Sequence, residues 1–477
     1  MPTSAPSERP APAEGGSSCS RRPAVADRPG RTFASHTGDS VIGFFSPGTR
    51  QPSLTDDAET PGDFGHLWAI GSAGCPAPAD RCPTFASTTH RRLLAYEPLL
   101  PTTDAMAPYL RQIDRSRMYS NQGPLVTALQ KRLAARFELA DGSVVAASSG
   151  TAALVAAILA HAGPARPERP YAICPAYTFV ATAAAVSQCG YEPYLADVSP
   201  ETWTLDPDRL AEHPMLDRVG VVVPVCAYGR PLDVEGWARF QHATGIRVVI
   251  DAAAAVEALA DGKMHGDARV PLALSFHATK AFGCGEGGCV VWPDPALAAR
   301  TMQATNFGFM GSRNSQGASL NGKMSEYHAA VALAELDGWA GKRADFDRST
   351  RAYRAAFLHE GLPSGDLVVH PQIASNYILY RCTDPARAED LRRVLEESGI
   401  EARFWYGGGM HMHDHLREAR RDALPVTEDL SRTLLGLPMG SRMAAADIAR
   451  VVSALAAARG RVQSVEIPSV RTLPAIA

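Results

Sequence analysis

From about Leu94 onward the chain alternates two kinds of segment. One is a short run of continuously apolar residues. The other is a longer stretch whose apolar positions recur every three or four residues. "GSVVAASSG" predicts a strand ending in glycine, and "TAALVAAILAHAG" a helix with a glycine stop. "YAICPAY" and "TFVATAAAVSQCG" repeat the pair. "EPYLADV" and "VGVVVPVCAYG" predict two further strands, "VEGWARFQHATG" a helix, and "RVVIDAAAA" a strand with its acid at the carboxyl end. Strands that are apolar throughout and separated by helices fit a mainly parallel sheet covered on both faces. The predicted fold class is therefore α/β. In such sheets ligands bind beyond the carboxyl ends of the strands. Ser149, Gly150, Tyr177, Asp251 and the Lys280 region all fall at those ends or in the turns after them.

Further along, "SEYHAAVALAELDGWAGKRADFDRSTRAYRAAFLHEG" predicts one long helix leading out of the sheet domain. "IASNYILYRCT" and "IEARFWY" read as strands, "ARAEDLRRVLEESG" as a helix, and 444–459 as a final helix. The expected organisation is a large domain over 94–340, a small α+β domain over 341–461 and a tail over 462–477. Residues 1–93 are rich in Pro, Ser, Gly and Ala. They bury too little apolar surface to offset their ordering entropy, so a disordered extension is expected.

Composition narrows the function. Of 477 residues 45% are hydrophobic, and the net charge is −3. Neither nucleic acid nor a membrane surface is an expected partner of such a chain. No apolar run reaches membrane-span character, and "MPTSAPSERPAPAEGG" lacks the apolar core of a secretory signal. The nine cysteines are scattered, with no CxxC pair and no zinc spacing. Free thiols in a cytoplasmic protein and no metal site are the expectation.

Three motifs carry candidate chemistry. "SSGTAAL" sets Gly150 and Thr151 at a helix N-terminus, where free N–H groups and the helix dipole favour an anion. An ordinary helix cap would look the same. "VVIDAAAA" ends an apolar strand on Asp251, a costly place for a carboxylate unless a cation pairs with it. The plain alternative is an Asp that caps the next helix. "LSFHATKAFGCGEGG" sets Lys280 among Phe276, Ala278, Ala281 and Phe282, a poorly hydrating neighbourhood that favours a nucleophilic amine. Its glycines allow tight turns and close approach to a bound ring. The plain alternative is a lysine snorkelling from a strand edge. Taken together, the three motifs describe one ligand with a phosphate, a cationic ring nitrogen and an aldehyde. Pyridoxal 5'-phosphate has all three.

At these residues the chain resembles the DegT/DnrJ/EryC1/StrS family of sugar aminotransferases, pyridoxal-phosphate enzymes of fold type I. The matching stretches include "SSGTAAL", "CPAYTFVATAAAV", "YLADVSPETWTLDP", "VPVCAYGRPLD", "SFHATKAFGCGEGG" and "LNGKMSEYHAAVALAEL". They run from about Leu94 to about Arg459. The resemblance implies an aspartate-aminotransferase-like large domain and a small α+β C-terminal domain. It implies that Lys280 is the lysine that holds the cofactor and that Asp251 keeps the pyridine nitrogen protonated. Phe179 is implied to stack on the ring, and Gly150, Thr151 and Ser275 to hold the phosphate. Asn321 matches an asparagine lent by the partner subunit of a homodimer with shared active sites. Tyr406, His411 and, more loosely, Lys323 match positions near the substrate.

There are departures from the family pattern. Ala254 stands where the family has Gln or His, "YGGGMH" has glycines where prolines are common, and Lys323 replaces the commoner Arg. The glycines predict a more flexible loop. The activity implied is amino transfer, with glutamate as donor, to a nucleotide-linked keto-sugar in secondary-metabolite or surface-glycan biosynthesis. Alternatives are a keto-cyclitol aminotransferase, a sugar dehydratase, a cysteine desulfurase using Cys284, or a non-catalytic regulatory protein of the same fold. Lys280 itself argues against the dehydratase branch, which typically has histidine there.

Overall fold

The computed structural model describes residues 91–264 and 269–464. The expectation of disorder for residues 1–93 lies outside the described residues up to position 90. Leu93 is buried, its N–H donating to the Gly399 carbonyl at 2.9 Å and its carbonyl accepting from the Glu401 N–H at 2.8 Å.

The strands are β1 (Val144–Ala147), β2 (Tyr171–Pro175), β3 (Glu192–Ala196), β4 (Val219–Val222), β5 (Arg247–Val248), β6 (Ile250–Asp251), β7 (Leu272–Ser275), β8 (Gly288–Val291), β9 (Leu367–Val368), β10 (Ile378–Arg381), β11 (Arg420–Arg421) and β12 (Leu434–Leu437). One sheet has the order β1-β8-β7-β6 and a second the order β11-β3-β2-β4-β5. They join where the chain passes from β5 to β6. There the Asp251 N–H donates to the Pro224 carbonyl and the Cys226 N–H to the Asp251 carbonyl, both at 2.9 Å. Every pairing in this surface is parallel except those of β8, which runs against β1 and β7. Burial on both faces explains the unbroken apolar runs: all residues of β1, β2, β7 and β8 are buried. The structure is thus α/β with a mainly parallel sheet, as the pattern predicts.

The helix Gly150–His161 follows β1, and Ala181–Gln188 follows β2. The long helix Glu326–His359 starts at its cap Ser325, whose hydroxyl oxygen accepts from the His328 N–H at 3.2 Å. It contributes Phe346, Tyr353 and Phe357 to a separate core with β9, β10, β12 and the helices Pro385–Glu397 and Ala445–Ser464. Leu93 and Tyr96 also join that core. The strand expected over "IEARFWY" is not formed. Arg403 exchanges both backbone hydrogen bonds with Gly436 of β12, and the chain then turns. The turn is closed by the Gly407 N–H on the Phe404 carbonyl at 3.0 Å, with Gly407 at φ 55°, and the Trp405 indole packs so close to Gly436 that a Cβ there would fall 2.1 Å from Nε1. Among the described residues no helix is long and apolar enough to cross a membrane, and no cluster of metal-ligating side chains occurs.

Candidate active site

The strand ends bring distant motifs together. Ser149 caps the helix Gly150–His161, taking the Ala152 N–H on its hydroxyl oxygen at 3.0 Å. The N–H groups of Gly150 and Thr151 lie in the first turn, where no helix carbonyl can reach them. Gly150 lies against Ser275 at the end of β7, so close that a Cβ at 150 would fall 2.5 Å from the Ser275 Cβ. Gly288 permits this approach, since a Cβ there would fall 3.0 Å from the Gly150 Cα. Helix terminus and serine hydroxyl thus share one small region with anion-binding character.

Asp251 ends β6 and is 7% exposed. Its Oδ2 accepts from the Thr182 hydroxyl at 2.8 Å and its Oδ1 from the Ala253 N–H at 3.1 Å. It forms no ion pair among the described residues. Burial holds its carboxyl above the usual carboxylate range, and the two hydrogen bonds and the charge of Lys280 only partly oppose this. Thr182 belongs to the helix that begins just after Phe179, so Asp251 and Phe179 lie at the same end of the sheet. Phe179 is 60% exposed, so it is not a core residue. Ala254 contributes only a methyl group. Its carbonyl faces Gly229, where a Cβ would fall 2.5 Å from that oxygen.

Lys280 is half-buried on the turn after β7, its N–H donating to the His277 carbonyl at 2.9 Å. The glycines after it close a hairpin beneath the lysine. Phe276 N–H donates to the Gly287 carbonyl, Ala278 N–H to that of Gly285, and Cys284 N–H to that of Phe276. Gly285, at φ 91°, takes the left-handed backbone that the turn needs. The carboxylate of Glu335 is buried and paired with Lys342 at 2.5 Å; burial raises its pKa, while Lys342 and the nearby Gly283 N–H oppose that rise. Cys284 is buried, and burial pushes its thiol up to about 12. It is a packed thiol rather than a thiolate at neutral pH.

Tyr406 and His411 are carried to the same end of the sheet. The Tyr406 hydroxyl accepts from the Tyr228 N–H at 3.1 Å, and its ring centroid is 5.0 Å from that of Tyr177. The loop expected to be flexible is anchored instead. Met410 is fully buried, and its N–H donates to the Ala176 carbonyl at 2.8 Å. His411 Nε2 lies 4.0 Å from Glu428, and burial lowers its pKa.

Asn321 and Lys323 stand apart. Asn321 is exposed, and its Oδ1 accepts from Lys323 Nζ at 2.8 Å. Lys323 Nζ also lies 4.3 Å from the centre of the Phe307 ring. Gly322 between them is close to the helix terminus, its carbonyl accepting from the Ser148 N–H at 2.8 Å. Because Ser325 is the cap of the following helix, Asn321 is free of that task. Sequence reasoning missed Thr182, Tyr228 and Glu335. Each acts across a long chain separation, and no local pattern marks it.

Comparison with known proteins identifies the family. The sequence model of the DegT/DnrJ/EryC1/StrS aminotransferase family matches residues 102–456. The dTDP-3-amino-3,4,6-trideoxy-alpha-D-glucose transaminase of Streptomyces venezuelae is 30% identical over 368 residues, 76% of this chain and 93% of that protein. The dTDP-4-amino-4,6-dideoxy-D-glucose transaminase of Shigella dysenteriae is 29% identical over 371 residues, 75% of this chain and 97% of that protein. The crystal structure of DesI in the presence of its TDP-sugar product superposes with a TM-score of 0.68 at 31% identity, covering 79% of this chain and 95% of that one. With a family match over most of its length and the fold type I architecture of pyridoxal-phosphate-dependent aminotransferases, this chain belongs to the DegT/DnrJ/EryC1/StrS aminotransferase family.

Proposed function

We propose that the protein is a pyridoxal-phosphate-dependent aminotransferase that moves an amino group from glutamate to a nucleotide-linked keto-sugar. The observation that carries this reading is Asp251, a buried carboxylate without an ion pair among the described residues, in electrostatic reach of Lys280. Such a group is stabilised by a cationic ring nitrogen placed against it. The residues present fit the cofactor. Gly150, Thr151 and Ser275 would hold its phosphate, Phe179 its ring face, Asp251 its ring nitrogen and Lys280 its aldehyde carbon. When bound, the cofactor supplies an electron sink and a temporary carrier for nitrogen. Lys280 Nζ takes the proton from the substrate carbon that bears the amino group. Asp251 would hold the proton on its ring nitrogen. By family resemblance, Tyr406 and His411 would face the sugar, and Lys323, which lies apart with Asn321, would offer a point charge to its anionic part. The sugar itself is suggested by the similar proteins, which are named for transaminations of dTDP-linked sugars. We place the reaction in the cytoplasm, consistent with the free, buried thiols of all six cysteines among the described residues.

The test is a panel of nucleotide-linked keto-sugars incubated with the purified protein and glutamate. Aminated sugar by mass, with an equal amount of 2-oxoglutarate, is the expected result. Amination of keto-cyclitols alone would replace the substrate class, and no transamination with any acceptor would end the proposal.

We also propose a homodimer with shared sites, supported by Asn321, whose exposed side chain makes no hydrogen bond to residues 149–151 of its own chain. A closed two-fold dimer lets each subunit donate Asn321 to the other's phosphate site. Mixing inactive Lys280→Ala subunits with inactive Asn321→Ala subunits is expected to restore activity. Some mixed dimers then hold one site with both defects and one with neither. Mixtures that exchange subunits yet stay inactive would exclude sharing through Asn321.

A further inference from the structure

The two carbonyls that flank Lys280 on its turn are both held from outside the large sheet. The Thr279 carbonyl accepts from Asn376 Nδ2 at 3.0 Å, and the Lys280 carbonyl accepts from the Tyr96 hydroxyl at 3.4 Å. Asn376 lies two residues before β10 and is 2% exposed, and its Oδ1 is buried without a hydrogen-bond partner. The neighbouring Ser375 is fixed twice to Glu257. Its N–H donates to Oε2 at 2.6 Å and its hydroxyl to Oε1 at 2.7 Å. Glu257 is buried on the short helix Val256–Ala260, just beyond Asp251 in the chain. One run of contacts therefore connects the helix after Asp251 to the peptide before Lys280, by way of the segment that leads into β10.

We propose that Asn376 is a positioning residue for Lys280, fixing the Thr279–Lys280 peptide so that Nζ meets its target carbon in register. The inference rests on the reading of Lys280 given above. Its warrant is the balance of Asn376's own interactions. A buried amide with an unpaired oxygen costs stability; a leucine of similar shape would avoid that cost but would leave the Thr279 carbonyl without its donor. What the amide gains at this position is one directed donor on the peptide of the lysine. Because Lys280 must reach its partner atom along four flexible carbons, a backbone shift of about 1 Å costs on the order of 10²-fold in rate.

The experiment compares Asn376→Leu and Asn376→Ala with the parent and with Lys280→Ala. It reads the melting temperature of the cofactor-free protein, the pH midpoint of the visible band of the cofactor-bound protein, and kcat and KM for glutamate. Asn376→Leu is expected to melt within about 5 °C of the parent, since the removed amide penalty and the lost bond to the Thr279 carbonyl oppose each other, to lose about 10- to 100-fold in kcat with KM nearly unchanged, and to shift the pH midpoint of the band. Asn376→Ala should show the same kinetic and spectral changes, and it decides the matter if the leucine variant does not fold. Parent-like kcat and pH midpoint in either folded variant would overturn the proposal. So would an activity loss that merely follows a fall in melting temperature with the band unmoved. Lys280→Ala separates the two readings. If that variant keeps the band, the assignment of Lys280 is wrong; if it loses the band while the Asn376 variants behave like the parent, only the role of Asn376 fails.

Discussion

Replacing Lys280 with alanine is expected to lower transamination by about 10⁴-fold or more and to abolish the visible absorbance of the bound cofactor, while the chain stays folded. The size follows from losing two functions at once, the covalent hold on the cofactor and the proton transfer, the latter alone worth roughly 10²–10⁴-fold. The fold should survive because the turn is closed by its backbone. The bonds between Phe276 and Gly287, Ala278 and Gly285, and Cys284 and Phe276 do not involve the Lys280 side chain. Parent protein should be yellow with cofactor bound, and glutamate should bleach it. Borohydride treatment followed by peptide mapping should place the label on the peptide containing Lys280. A label on another lysine, or normal turnover in Lys280→Ala, would show the assignment to be wrong.

Asp251→Asn is expected to reduce turnover by about 10²-fold or more while some cofactor binding persists, the order found for losing one electrostatic partner of a transition state. A neutral amide cannot hold the ring nitrogen in its protonated form, so the carbon acid loses its sink. Stability should respond in the opposite direction. Burial raises the Asp251 carboxyl above its usual range. The cofactor-free folded chain therefore binds its proton more tightly than the unfolded chain does. That sign means stability is lost as pH rises from the unfolded carboxylate range through the folded pKa. Asparagine removes the penalty and can still accept from the Ala253 N–H and pair with Thr182. The cofactor-free variant should therefore melt no lower than its parent at neutral pH. Turnover within a fewfold of the parent would exclude the role; a marked fall in the cofactor-free melting temperature would show that Asp251 mainly supports the fold.

Much of this architecture is written locally. The strands that build the centre of the sheet are apolar from end to end because both faces are covered, and the helices between them carry their own stops. Asp251 stood out because a carboxylate closing such a strand is costly unless a cation pairs with it, although a local cap gives the same pattern. Lys280 was legible because apolar residues and glycines surround it. The chemistry of these two residues and the helix terminus at Gly150 pointed to one ligand before any distance was known. Ser275 and Asn321, by contrast, came only from family resemblance, since an isolated hydroxyl or amide carries no signal of its own.

What the sequence could not determine lies in contacts between distant segments. Gly150 meets Ser275 only because β8 runs between their strands and Gly288 lets the backbones close. The loop after Tyr406 looks flexible from its glycines, yet it is pinned by the burial of Met410 and its bond to Ala176. "IEARFWY" has the pattern of a strand, but after Arg403 the chain turns on the Gly407 N–H bond to the Phe404 carbonyl. Asn376, Tyr96 and Glu335 reach the Lys280 turn from chain segments far from it. Local pattern reports which face of an element is buried, and so the sequence alone determined the class of fold and singled out Asp251 and Lys280 as the two candidate chemical groups. Which side chain meets which across the fold depends on how the elements pack, and only the tertiary structure decided that.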